Sequence, residues 1–146
     1  MIMTMMLLLL AVCTAKILTP CDNIHPNLLA PLEEIAKDLN RMAIPLQLKK
    51  EKSTGVVCQE FTTDYYGVCV QNSLYNTTDI YISHRLLFTP NTLYNVLYHE
   101  VLHAFWLDHS DLPGLMNYSV RLNWFGYVND DSNKLFPSFY ELGQLK

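Results

Sequence analysis

Three histidines and a glutamate lie close together in the segment "YHEVLHAFWLDHS", residues 98–110. On a helix, residues four apart project from one face about one turn from each other. His99 and His103 have this spacing, so their imidazoles can bind one divalent ion. Glu100 lies beside the first histidine, where a carboxylate can reach a metal-bound water. The pattern H-E-x-x-H therefore predicts two zinc ligands and a general base on one helix.

A catalytic zinc ion needs a third protein ligand and an open position for water. His109, six residues after His103, is the first candidate for that ligand. Asp108 and Asp111 are the alternatives. The cofactor expected from this segment is one catalytic Zn²⁺.

The active-site helix is predicted to begin near Thr89, a natural N-cap, with Pro90 as its first residue. An earlier helix is indicated by apolar residues at helical intervals between Leu28 and Leu39. Pro31 suits its first turn, and the acidic pair Glu33–Glu34 favours the same end. A short final helix is predicted to start near Ser138.

Strand-like runs rich in Val, Ile, Tyr and Thr lie between the first two helices, at Ile44–Leu48, Gly55–Phe61, Tyr66–Gln71 and Asp79–Ser83. "SDLPGLMNYS" is typical of a loop with a tight turn near Pro113 and Gly114. The order of elements predicts an α+β fold. We expect a small twisted mixed sheet with two packed helices and a small C-terminal lobe.

The length of 146 residues is typical of one domain, and half of the residues are apolar. The formal net charge is −4 and the sequence pI about 5.6. This balance lacks the basic footprint of a nucleic-acid-binding protein.

The N-terminus is typical of a secretory signal peptide, with an apolar run at Met5–Val12 and a small residue, Ala15, before Lys16. The uncharged stretch is shorter than the roughly 20 residues that a membrane-spanning helix needs. We predict a signal peptide at 1–15 and one domain at 16–146. The protein would then be secreted, without stable membrane association after cleavage.

A secreted location would permit disulfide bonds and glycosylation. The domain would keep three cysteines, of which Cys58 and Cys69 lie in neighbouring strand-like runs and are the expected pair. Cys21 would then be unpaired. Asn76, in "NTT", is the expected glycosylation acceptor, whereas Asn117, in "NYS", falls in the predicted active-site backbone.

The motif "HEVLHAFWLDHS" followed by "GLMNYS" resembles the metzincin zinc peptidases, and "LDHS" and "LM" resemble the matrixin branch. The resemblance implies that His99, His103 and His109 bind zinc and that Glu100 is the base. Met116 matches the methionine of the turn that supports the site in that family.

Other parts of the chain extend this resemblance. Tyr118 resembles the tyrosine that approaches the metal in the astacin and serralysin branches, where it would stabilise the oxyanion. "GVCVQNSLYNTTDIYIS" resembles the edge strand, loop and inner strand before the active-site helix. Peptide substrate would then bind along Tyr66–Gln71 by strand addition. "VRLNWFGY", residues 120–127, would border a side-chain pocket.

The chain departs from the family pattern at Trp106, where the family has a helix-ending glycine. A bulky residue with positive φ costs about 1–2 kcal/mol. Either Trp106 adopts that conformation, or the chain reaches His109 by another path. In addition, Lys16–Thr19 is barely long enough for the family's first strand, so the sheet is expected to lack it.

These features predict a secreted zinc metalloendopeptidase, a hydrolase in which Glu100 is the general base for metal-activated water. The alternative is a secreted zinc-binding module of the same fold that binds a partner protein without turnover. In that case Trp106 would distort the zinc site. The presence of Glu100 disfavours this alternative, because binding alone would not require a general base. A third possibility is a secreted disulfide-bonded domain without metal, which the spacing of the three histidines disfavours.

Overall fold

The computed structural model describes residues 16–50, 55–61, 65–112, 114–117 and 133–145. The predicted signal peptide, Tyr118 and the segment 120–127 lie outside these ranges.

Five strands form one mixed sheet: β1 (Lys16–Pro20), β2 (Leu46–Leu48), β3 (Val56–Glu60), β4 (Gly67–Asn72) and β5 (Thr77–Ser83). Their spatial order is β2-β1-β3-β5-β4. Neighbours pair in parallel except β4, which lies at one edge and runs antiparallel to β5. This arrangement confirms the predicted α+β class with a mixed sheet.

The expectation that the first strand is missing was wrong. β1 occupies an interior position, between β2 and β3, so both of its edges are hydrogen-bonded. Thr19 N–H, for example, donates to the Gly55 carbonyl at 2.8 Å. A five-residue strand is sufficient because partners on both sides satisfy its backbone groups.

The first helix, α1 (Pro26–Arg41), begins earlier than the sequence suggested. His25 caps it by accepting a hydrogen bond from Asn27 N–H on Nδ1, at 3.0 Å. Pro31 therefore lies inside the helix, and Glu33–Glu34 follow its first turn, contrary to prediction. The predicted apolar face is correct and is buried, with the residues Leu28, Leu32, Ile35, Ala36 and Leu39.

The second helix, α2 (Pro90–Ala104), begins after Thr89 as predicted and carries H-E-x-x-H. The Thr89 hydroxyl does not cap it, because it donates to the Leu86 carbonyl at 3.1 Å. It is buried on nearly every side because it packs against α1, β4 and β5. The last helix, α3 (Phe139–Leu142), begins at Ser138 with a capping box formed with Glu141. α1 and α2 are the two packed helices expected from the sequence.

The predicted pairing of Cys58 with Cys69 was wrong, because Cys58 is bonded to Cys21 across a Cα–Cα distance of 5.4 Å. The sheet order explains the error. β5 lies between β3 and β4, so Cys58 and Cys69 are two strand spacings apart, about 9–10 Å. That exceeds the reach of a disulfide. The parallel pairing of β1 with β3 instead brings Cys21 beside Cys58.

Within the described ranges, every helix is too short or too polar to cross a bilayer.

Candidate metal centre

The imidazoles of His99, His103 and His109 converge on one point. The Nε2 atom of His99 lies 3.1 Å from that of His103 and 3.1 Å from that of His109. The Nε2 atoms of His103 and His109 lie 3.2 Å apart. In the described residues, this group of potential ligands contains the three histidines and neither Asp108 nor Asp111. The cluster could hold a metal ion.

Backbone carbonyls orient two of these rings through their other nitrogen. His99 Nδ1 lies 2.6 Å from the carbonyl oxygen of Leu115, and His103 Nδ1 lies 2.6 Å from that of Leu107. A carbonyl accepts but cannot donate, so Nδ1 carries the proton in both rings. The Nε2 lone pairs are then directed into the cluster, which is the arrangement that metal-binding histidines usually show.

The chain turns at Trp106 to bring His109 back to the helix. Trp106 adopts the left-handed conformation with φ of 66°. Its N–H donates to the His103 carbonyl at 2.9 Å, and Leu107 N–H donates to the Leu102 carbonyl at 3.2 Å. These are the two hydrogen bonds of a Schellman motif, with Trp106 where glycine is usual. Of the two paths considered from the sequence, the chain takes the strained one.

Hydrogen bonds with Ser110 and Glu141 fix the backbone of the predicted methionine turn. Gly114 has φ of 148°, which other residues rarely adopt, and it supports the turn predicted at that position. The Met116 carbonyl accepts from Ser110 N–H at 2.8 Å. On the other side, Met116 N–H donates to Glu141 Oε2 at 2.7 Å. Met116 is buried, and its neighbour Leu115 supplies the carbonyl that orients His99.

Glu100 is only 3% exposed and faces an open cleft of about 270 Å³ between α2 and the edge strand β4. His103, His109 and Trp106 also border this cleft. Gly67 has no side chain and so allows β4 to lie close to α2. A side-chain carbon there would lie 2.8 Å from Val96 Cγ1 and 3.1 Å from the Glu100 Cγ.

Two other β4 side chains border the same cleft. Gln71 Nε2 donates to the His103 carbonyl at 2.6 Å and so links the strand to the C-terminal end of α2. Cys69 has a free thiol. Burial, and secondarily the charge of Glu100, raises the pKa of this thiol to about 12. Cys69 is therefore a neutral thiol at physiological pH.

The backbone groups that orient the histidine rings were not predicted from the sequence. The carbonyls of Leu107 and Leu115 carry no side-chain signal, because any residue type supplies the same acceptor. Glu141 had a detectable signal: Ser138 followed three residues later by glutamate is a capping-box pattern. That pattern indicates the helix start but not the bond to Met116, which depends on tertiary packing.

The two glycosylation sequons differ in their surroundings. Asn76 is exposed in the turn between β4 and β5. The Asn117 amide nitrogen donates to the carbonyls of Asp111 and Leu112 at 3.2 and 2.8 Å. The Asn117 side chain is therefore hydrogen-bonded within its own loop.

The sequence matches no protein-family model, and it matches no curated protein at a significant level. The fold is α+β, and the site is a three-histidine cluster that could hold a metal ion.

Proposed function

We propose that this protein is a secreted, zinc-dependent endopeptidase. The observation that carries the proposal is the convergence of three Nε2 atoms beside a buried glutamate, in a cleft bordered by an edge strand. Its resemblance to metzincins at His99–Tyr118 supports the same assignment, with Met116 as the supporting methionine.

The donor set fits zinc. Three nitrogen ligands at about 2.0–2.1 Å from a tetrahedral zinc ion lie about 3.3 Å apart. The observed Nε2 separations are 3.1–3.2 Å. Three neutral imidazoles with an open fourth position are typical of catalytic rather than structural zinc sites. Bound zinc would supply Lewis acidity and an activated water at neutral pH.

The chain's own residues would perform the proton transfers and hold the substrate. Glu100, next to the first ligand, would accept the proton of the attacking water and deliver it to the leaving amine. An extended peptide would add to the outer edge of β4 through main-chain hydrogen bonds. Tyr118, which lies outside the described residues, is proposed as a further hydrogen-bond donor to the oxyanion.

Secretion is supported by the Cys21–Cys58 disulfide and by the signal-like segment 1–15. Disulfides persist in oxidising compartments. Expression of the full chain in a eukaryotic host tests this part. Protein recovered from the medium should begin at Lys16, and retention of the entire chain inside cells would contradict it.

The enzymatic proposal is tested on the purified full chain by measuring bound zinc and the cleavage of an unfolded protein, with and without a chelator. We expect about one zinc per chain and cleavage that the chelator abolishes. Glu100→Ala should keep the zinc and lose at least about a hundredfold in rate. His109→Ala should lose the zinc, whereas His84→Ala, a histidine outside the cluster, should retain it.

The outcomes separate the candidate functions. One zinc per chain without chelator-sensitive cleavage would overturn the peptidase assignment and leave the zinc-binding module. No zinc would overturn both. The reason for expecting an inactive module was that Trp106 spoils the geometry, yet His109 Nε2 reaches the cluster despite Trp106.

A further inference from the structure

Trp106 combines an unfavourable backbone conformation with a side chain that is 52% exposed. Positive φ is uncommon for residues other than glycine, and a bulky side chain there costs free energy. The local structure needs only a left-handed residue at this point, which glycine would supply without strain. A half-exposed indole also contributes less to the core than a buried one. Neither the turn nor the core therefore explains a tryptophan.

The surroundings of the indole suggest what it contacts. Trp106 borders the same cleft as Glu100 and His103, which places it beside the proposed reaction centre. Across the cleft lie Cys69 and Gln71, whose side chains leave the same face of β4 because they are two residues apart. A peptide added to β4 would send alternate side chains toward that face.

The described lining of the cleft combines apolar, neutral and acidic side chains. Val68, Cys69 and Leu107 border it together with Trp106, Glu100 and Asp108 contribute carboxylates, and the described lining contains no lysine or arginine. An indole face offers a large rigid contact area for an aromatic or aliphatic group. An acidic substrate side chain would find no cationic partner among these residues.

We propose that Trp106 is a specificity-determining residue that contacts an aromatic or large aliphatic substrate side chain next to the scissile bond. This inference rests on the proposed peptidase function and deepens it. Trp106 thus has two roles: its backbone ends α2, and its indole forms one side of the substrate cleft.

The test uses peptides built on a bond that the full-length protein cleaves, with Phe, Leu, Ala or Arg at each position flanking that bond. At one of these positions, we expect kcat/KM for Phe or Leu to exceed that for Ala by about tenfold or more. Trp106→Gly and Trp106→Asn, both compatible with positive φ, should reduce this preference to within about threefold. Trp106→Phe should restore most of it.

Controls separate recognition from folding. Each variant should retain about one zinc per chain, and Phe88→Ala should leave the preference unchanged. Phe88 is a 74% exposed aromatic residue that does not border this cleft. A preference unchanged in both Trp106→Gly and Trp106→Asn would overturn the inference, as would a preference for Arg that these variants abolish.

A second measurement distinguishes failure of this inference from failure of the peptidase assignment. Zinc-loaded Glu100→Gln is titrated with fluorescent hexapeptide libraries that have Phe or Ala fixed at one position. We expect the Phe library to bind about tenfold more tightly than the Ala library. This difference should disappear when Trp106→Gly is added to Glu100→Gln. If the unaltered chain cleaves nothing, the peptidase proposal fails, and equal affinities in this titration would overturn the role of Trp106 independently.

Discussion

The Glu141 carboxylate accepts a hydrogen bond from the backbone N–H of Met116 at 2.7 Å and so joins the last helix to the turn beside the candidate metal site. Its other oxygen accepts from Ser138 N–H at 2.9 Å. Glu141 is only 5% exposed, and Met116 directly follows Leu115, whose carbonyl orients His99. Glu141 is thereby linked to His99, a potential metal ligand, through the Met116 amide and the adjoining Leu115 carbonyl.

We expect Glu141→Ala to destabilise the protein by about 1–3 kcal/mol, because it leaves the Met116 amide buried without its acceptor. Zinc affinity should fall by up to about tenfold, since the orientation of His99 depends on this turn. Unfolding by urea and a competitive zinc titration measure the two effects. Ser138→Ala, which removes only the capping hydroxyl, should cost about 1 kcal/mol and leave zinc affinity unchanged. Equal zinc affinities in both variants would contradict this connection.

Gly67→Ala should destabilise the protein by about 1–3 kcal/mol, because the new methyl group would meet Val96 and Glu100 at overpacked distances. We also expect a lower kcat with unchanged zinc content, because Glu100 must shift while the histidines need not. The matched control is Gly143→Ala. Gly143 has a φ of −68°, and a methyl carbon added there would lie 3.4 Å from the nearest atom outside the neighbouring residues. That variant should be neutral or slightly stabilising, and an equal loss in both would argue against close packing at Gly67.

Two neighbouring tyrosines on α2 should respond oppositely to loss of their hydroxyl groups. Tyr98 is fully buried, and its hydroxyl has no hydrogen-bond partner among the described residues. The Tyr94 hydroxyl donates to Asp38 Oδ2 at 3.0 Å. We expect Tyr98→Phe to be neutral or stabilising by up to about 1 kcal/mol, and Tyr94→Phe to cost about 1–3 kcal/mol. Thermal and urea unfolding check both, and a costly Tyr98→Phe would reveal a partner for its hydroxyl.

The Cys69 thiol should be unreactive at mildly alkaline pH. Its pKa is raised to about 12 by burial and by Glu100, from an ordinary value near 9. We therefore expect alkylation by iodoacetamide at pH 8.5 to be at least about tenfold slower in the native protein than in urea. The folded state holds this proton more tightly than the unfolded chain does. The resulting stability is present below pH 9 and is lost as the pH rises toward 12.

An exposed thiol on the same strand is the control for Cys69. Val70 is half-exposed on β4, so Val70→Cys combined with Cys69→Ala should react nearly as fast folded as unfolded. The stability of Cys69→Ala should also decline less between pH 9 and pH 11 than that of the unaltered protein. Rapid alkylation of Cys69 in the native protein would contradict the raised pKa of its thiol.

Local patterns in the sequence predicted much of the fold. The interval between His99 and His103 determines their shared helix face, and Pro90 favours a helix start at its own position, because both depend on residues within a few positions. Pro31 was predicted to lie in the first turn of α1, but the helix begins at Pro26. An isolated histidine is a weak capping signal, and the imidazole of His25 supplied the cap.

Tertiary structure decided the relationships between distant segments. The sheet order separates Cys58 from Cys69 and pairs Cys58 with Cys21, which no spacing along the chain reveals. The sequence left two paths open at Trp106. The Schellman hydrogen bonds and the position of His109 in the cluster show that the chain takes the strained turn. The sequence by itself determined which residues can bind metal, because side-chain chemistry is local. Only the packed fold decided how they are oriented, because the orienting carbonyls and the Glu141 carboxylate come from elements that meet in space.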